Sequence, residues 1–170
     1  MRAGTKSILF GGHQFILHPP FVVVAWVKLY KRLPSVKELF CIVIHDLGYW
    51  GKINIDGGEG ELHPLWAARI AGRVFGHEYF DFIAYHSRCL ARRDGKTPSK
   101  LCLPDKMGVA LMPTWLLVFL TRLSGEIKEY MTQSKYERAV YNHGTPTEFF
   151  EDYKRMVEEW IENSIEIKGE

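Results

Sequence analysis

The sequence predicts an all-α, single-domain protein, and three observations carry that expectation. Almost nothing alternates with period two over strand lengths, whereas apolar residues recur at helical spacing along most of the chain. Two capping boxes, Ser35-Val36-Lys37-Glu38 and Thr145-Pro146-Thr147-Glu148, mark helix starts. Proline and glycine fall at short intervals, as tight connections between packed helices require, with no internal repeat or long linker. A chain of 170 residues has the size of one domain, and 46% hydrophobic with 25% charged residues excludes disordered and collagen-like classes.

The elements follow in order. Residues 20–33 end in a basic turn before Pro34, which puts cations at the favourable end of a helix dipole. After the first capping box, Leu39, Phe40, Ile42, Val43 and Ile44 predict a largely buried helix leading into His45-Asp46-Leu47-Gly48, with Gly48 and Gly51 ending it. Residues 52–60 (KINIDGGEG) hold too many glycines for a helix and read as a mobile loop bordering a binding site. A third helix is expected over 61–75. A fourth is expected over 77–90, with Phe80, Ile83, Ala84 and Tyr85 facing inward. Pro104 suits the first turn of a fifth helix running to residue 123 with a kink at Pro113, and the second capping box opens an amphipathic helix to residue 165. The segment 124–168 is expected to pack on region 13–123. Trp26, Trp50, Trp66, Trp115 and Trp160 are core candidates, with base stacking the alternative for Trp50 and Tyr49.

Charge and cysteine usage narrow the function classes. A net charge of +2 gives no global case for nucleic acid, and no duplex partner is expected. Cys41, Cys89 and Cys102 are odd in number and form no CxxC pair, which excludes a disulfide framework or cysteine zinc knuckle and points to a reducing compartment. The apolar stretch 110–120 is interrupted by Pro113 and falls short of the ~20 residues that span a bilayer. His13, His18 and Pro19-Pro20 interrupt any signal-peptide core. The expectation is a cytoplasmic chain with no membrane partner.

Six metal-ligand residue types fall on or beside the buried helices: His18, His45, Asp46, His63, His86 and Asp105. A buried polar group without a partner costs ~1–3 kcal/mol, and a charge more. Neighbouring helix residues diverge by about 100°, so His45 and Asp46 splay around one cation only if it sits between packed helices that supply further ligands. Elsewhere, His13 lies in a Gly-flanked loop, His77 and His143 sit beside turn glycines and are expected to be exposed, and Cys89 reads as a buried, inert thiol.

In order, these residues form a pattern H…HD…H…H…D, which resembles the HD-domain metal-dependent phosphohydrolases over about residues 13–123. His63-Pro64 followed by Ala67, Ala68 and Ile70 is similar to the HPxxGxxI segment of the HD-GYP phosphodiesterases, and His86 followed by Arg93-Asp94-Gly95 is similar to their HHE…DG segment. The tyrosine of GYP is absent from Asp94-Gly95-Lys96-Thr97-Pro98, so the resemblance does not extend to cyclic di-GMP. Tyr49 stands where the nucleotidase branch carries a catalytic Glu. Pro104-Asp105-Lys106 parallels a segment of the small dinuclear hydrolases of dinucleoside polyphosphates.

The resemblance implies an HD-like helical bundle in which His18, His45, Asp46 and Asp105 hold one metal and Asp46, His63 and His86 a second, with Asp46 as the bridge. It implies one or two divalent transition ions (Mn, Fe, Co, Ni or Zn), a metal-activated water, and a small phosphate ester, a nucleotide above all, as substrate. Asp46, His45 and Arg88 are the implied catalytic residues. Arg88, Arg92, Arg93 and Lys96 follow His86 closely enough to bind substrate phosphate at the same mouth, and Lys52 and Lys106 are further candidates. The same ligand set also belongs to a di-iron oxygenase branch that cleaves C–C or C–P bonds, and a degenerate nucleotide-binding sensor is a third reading.

Overall fold

The computed structural model describes residues 1–55, 58–137 and 144–166, and the regular elements among them are all helical. The expected loop 52–60 lies in part, and His143 wholly, outside the described residues. The helices are α1 (Ala3–Phe10), α2 (His18–Tyr30), α3 (Val36–Ile44), α4 (Pro64–Phe75), α5 (His77–Ala84), α6 (Arg88–Arg93), α7 (Cys102–Leu111), α8 (Thr114–Ser124), α9 (Glu126–Glu137) and α10 (Pro146–Glu166). Short 3-10 turns, Leu47–Tyr49 and Gly60–Leu62, precede and follow the 52–60 segment.

Both capping boxes form. Ser35 Oγ accepts from the Glu38 backbone N–H while Glu38 accepts from that of Ser35, and Thr145 and Glu148 repeat the exchange at the start of α10. Three expected elements differ. The helix expected over 104–123 is two helices, α7 and α8, bent by 101°. Pro113 removes a donor and drives Met112 into an extended conformation (φ −67°, ψ 141°), so the chain breaks rather than kinks. The helix expected over 77–90 is interrupted at residues 85–87, where extended Ser87 caps α6 by accepting from the Leu90 N–H. And α3 stops at Ile44, ahead of the two glycines expected to end it.

Small residues decide how closely the helices approach. Ala67, Ala68 and Ala71 of α4 pack with Ile83 and Ala84 of α5 and Cys41 of α3 in one core cluster. Gly108 of α7 faces Val22 of α2 so closely that a Cβ there would stand 3.0 Å from the Val22 backbone nitrogen. That contact draws α2 and α7 together one turn beyond His18 and Asp105. A further cluster, Met112, Leu117, Ile127 and Phe150, seats α8, α9 and α10. Tyr153 donates to the Lys106 carbonyl at 3.3 Å and Lys154 to the Met112 carbonyl at 2.6 Å, fastening α10 to α7.

Of the five tryptophans, Trp26 is fully buried and Trp160 half-buried, but Trp50, Trp66 and Trp115 are 63%, 52% and 71% exposed. Cys89, expected to be buried, is exposed, because the break before α6 turns its position outward. No single described helix is long and apolar enough to cross a bilayer.

Candidate metal centre

Each of the six histidine and aspartate positions sits at a helix boundary. His18 opens α2, His45 follows α3, Asp46 precedes the 47–49 turn, His63 precedes α4, His86 lies in the break between α5 and α6, and Asp105 lies in the first turn of α7. Boundaries suit this purpose, since a side chain there is not confined to a helix stripe. Asp105 also gains from the helix dipole. Gly48 has no room for a side chain, because a Cβ would stand 1.9 Å from the His63 carbonyl oxygen. The turn after Asp46 is thereby pressed against the backbone of His63, and Tyr49 stacks on its imidazole at 3.8 Å.

All six residues are buried, and they converge in two groups that share Asp46. In His18, His45, Asp46 and Asp105, and again in Asp46, His63 and His86, one ligand atom from each residue lies within 4.8 Å of the others. The Nδ1 atoms of His45, His63 and His86 lie 2.7, 2.8 and 2.6 Å from the carbonyls of Ile42, Gly60 and Ile83. A carbonyl only accepts, so each Nδ1 carries a hydrogen and each ring aims its Nε2 inward.

What those nitrogens meet is other nitrogens and carboxylate oxygens. His63 Nε2 faces His86 Nε2 at 3.2 Å. His45 Nε2 faces Asp46 Oδ2 at 3.2 Å and Asp105 Oδ1 at 3.3 Å. His18 Nε2 lies 2.9 Å from Asp105 Oδ1, and His63 Nε2 3.3 Å from Asp46 Oδ1. Asp46 Oδ2 is buried without a hydrogen-bond donor. Buried acceptors facing acceptors repel unless a cation lies among them, and two nitrogens 3.2 Å apart match two ligands each about 2.1 Å from one ion. The donor set, imidazole nitrogen and carboxylate oxygen without thiolate, fits a divalent transition ion.

Protons are the competing cations. Burial pulls the His45 imidazole down, but the Asp46 and Asp105 carboxylates more than offset it and lift it to about 10, so at neutral pH the metal-free ring holds a second proton, on Nε2, that an entering metal ion displaces. At His63 burial wins and pushes the ring down to about 4. Burial raises Asp46, yet the charge of His45 and the close approach of His45, His63 and His86 hold it well below the usual carboxylate range. Asp105 is held low in the same way, against its burial, by Lys106, His18 and His45.

The basic residues expected around the mouth separate. Lys106 alone among them forms an ion pair with a ligand carboxylate in the described structure, its Nζ 2.9 Å from Asp105 Oδ2, which leaves Oδ1 to the histidines. Arg88 is exposed, with its guanidinium 4.9 Å over the Trp160 ring. Arg92 and Lys96 are exposed, and exposed Arg93 pairs with Asp94 at 2.8 Å. Lys52 is half-buried outside the ligand cluster. His77 is exposed as expected.

Sequence reasoning missed the Glu126 cluster beside the centre. Glu126 is buried and accepts from Ser7 and Ser124 hydroxyls, the Gly12 N–H and His13 Nδ1, whose ring centroid stands 6.0 Å from that of His18. The Gly11-Gly12 pair was its available signal, since a Cβ on Gly11 would stand 2.2 Å from Glu126 Oε2. Compared with family models, curated proteins and solved structures, the chain matches none.

Proposed function

We propose that the protein is a metal-dependent phosphohydrolase acting on a nucleotide or a similar small phosphate ester. The observation that carries the reading is the convergence of six buried imidazole and carboxylate side chains into two groups joined by one carboxylate. Asp46 presents Oδ1 to His63 and His86 and Oδ2 to His18 and His45. That is the disposition of a carboxylate bridging two cations, and the ordered resemblance to HD-domain hydrolases agrees with it.

Divalent ions held by these six residues would supply Lewis acidity, to acidify water and offset charge on phosphoryl oxygens. The chain's own groups set the conditions. Carbonyls of Ile42, Gly60 and Ile83 accept from three Nδ1 atoms and so aim each Nε2 at the centre, with His63 free of a second proton and His45 giving one up as a metal ion enters. Lys106 holds Asp105 and adds positive charge at the rim. Arg88, exposed with its guanidinium over Trp160 of α10, is the residue proposed to meet substrate phosphate, with a two-pronged donor that lysine lacks.

The test is metal analysis of protein purified without added metal, followed by phosphate release from nucleotides and base-free phosphate esters. Bound divalent metal with phosphate release supports the reading. Two irons with no phosphate release favours an oxygenase, and nucleotide binding without turnover favours a sensor.

A further inference from the structure

Outside the ligand cluster, one surface groove of about 600 Å³ is lined by Leu47, Gly48, Trp50, Lys52, Leu62, Leu65, Trp66 and Arg69. Its composition is unusual for solvent-facing surface. Trp50 and Trp66 are both more than half exposed, although an indole has 150–250 Å² to gain by burial. Neither Lys52 nor Arg69 has a carboxylate partner among the described residues. Leu65, Trp66 and Arg69 share one side of α4 (i, i+1, i+4), with Leu62 of the preceding turn beside them, while Pro64, Ala67, Ala68 and Ala71 fill the buried side.

The groove is tied to the metal centre by the backbone. Leu47 and Gly48 directly follow His45-Asp46, and Leu62 directly precedes His63. Gly48 is packed on the His63 carbonyl, and Tyr49, between groove residues Gly48 and Trp50, stacks on the His63 ring. A ligand seated in the groove therefore bears on the same two segments that carry three of the six ligands.

We propose that this groove is the recognition subsite for a nucleobase-bearing anion, a mononucleotide-sized ligand. The deduction rests on the phosphohydrolase reading for its catalytic meaning, but not for its binding. Aromatic faces stack any base, and unpaired cations complement phosphate. The volume lies within the range of small-molecule sites. Two cations neutralise too few phosphates to hold a nucleic-acid strand.

The experiment is calorimetry on the metal-loaded protein with phosphonate analogues of AMP and UMP, whose carbon–phosphorus linkage is not hydrolysed. Adenosine and ribose 5-phosphate serve as half-ligands. Trp50→Ala and Trp66→Ala are each expected to weaken the AMP analogue by about tenfold, the scale of one lost stacking contact, and to leave ribose 5-phosphate unchanged. Arg69→Gln is expected to bring the AMP analogue toward the affinity of adenosine and leave adenosine itself unchanged. Wild-type affinity in all three variants overturns the proposal, as does absence of base-dependent binding in the native protein. Loss of binding to anionic phospholipid vesicles, or dissociation of a dimer, in the tryptophan variants with nucleotide affinity intact also overturns it, by assigning the indoles to a membrane or a second copy. Phosphate release from ribose 5-phosphate separates the two readings. Release without base-dependent binding defeats the groove and spares the hydrolase, whereas base-dependent binding with no release from any ester does the reverse.

Discussion

Two buried acid–histidine clusters stand side by side in this molecule, and they differ in how many hydrogens they hold. Around Glu126 every contact pairs an acceptor with a donor: the two hydroxyls, the Gly12 N–H at 2.7 Å and His13 Nδ1 at 3.3 Å all serve one carboxylate. Around Asp46 the count fails. Three imidazoles give their Nδ1 hydrogen to backbone carbonyls, so nitrogen faces nitrogen and nitrogen faces carboxylate oxygen, with only an added proton or a metal ion to join them. Burial and residue types are alike, so neither identifies a ligand site. The deficit of donors separates them: a satisfied cluster is complete as folded, and the Asp46 cluster leaves places for a cation, whether proton or metal ion.

The largest expected effect breaks the deficient cluster at its shared member. Asp46→Ala removes the carboxylate common to both groups and is expected to abolish phosphate release and lower metal content, read by elemental analysis of purified protein. Glu126→Gln is expected to keep its metal. Equal metal loss in both variants would remove the distinction between the clusters.

Metal removal sharpens the same comparison without mutation. Anything that binds only the folded state at about a thousand times its dissociation constant stabilises by about 4 kcal/mol. Chelation is therefore expected to lower the thermal midpoint by several degrees, and added divalent metal to restore it. An unchanged midpoint would mean that protons already satisfy the Asp46 cluster.

The Glu126 cluster should respond to pH and truncation instead. Glu126→Ala strands buried donors and is expected to cost about 3 kcal/mol in urea unfolding. Burial raises the Glu126 carboxyl, but His13, Ser7 and Gly12 outweigh it and set it below its ordinary 4.5. Burial lowers His13, but the Glu126 hydrogen bond and nearby carboxylates leave it above its ordinary 6.5. A depressed acid contributes stability above its unfolded pKa and loses it as pH falls through the folded one. A raised histidine contributes below its unfolded pKa and loses it as pH rises through the folded one. The gap between native protein and Glu126→Gln is thus expected to be widest between about pH 4.5 and 6.5 and to narrow on both sides.

The two clusters were unequally legible in the sequence. The six candidate ligands announced themselves because they stand next to helix punctuation, Pro19, Pro64, Ser87 and Pro104 among it, in segments otherwise apolar. The Glu126 contact joins residues 113 apart and depends on how α1 meets α8, which no local pattern encodes. Trp66 failed for a related reason: an indole at helical spacing reads as core, and only packing decides which side of α4 the alanines claim. Pro113 was legible as a disturbance, but its 101° consequence was set by where α8 found apolar partners.

Arg88 gives the smallest expected effect, because it belongs to neither cluster. Its guanidinium lies over Trp160 of α10, an exposed contact worth little to folding. Arg88→Lys keeps the charge and loses the fork that grips two phosphate oxygens. Metal content and unfolding free energy are expected to stay at native values, while KM for a phosphate ester rises by roughly threefold to tenfold, the weight of one lost charged hydrogen bond in a solvated setting. A fall in kcat with KM unchanged would instead place the contact in the transition state alone. Cys89→Ala, one residue along the same short helix, is the control for local disturbance and is expected to leave both constants unchanged. If Arg88→Lys and Arg88→Ala both match native kinetics at equal metal occupancy, Arg88 serves α10 alone and phosphate is met by Lys106, the cation already paired to Asp105.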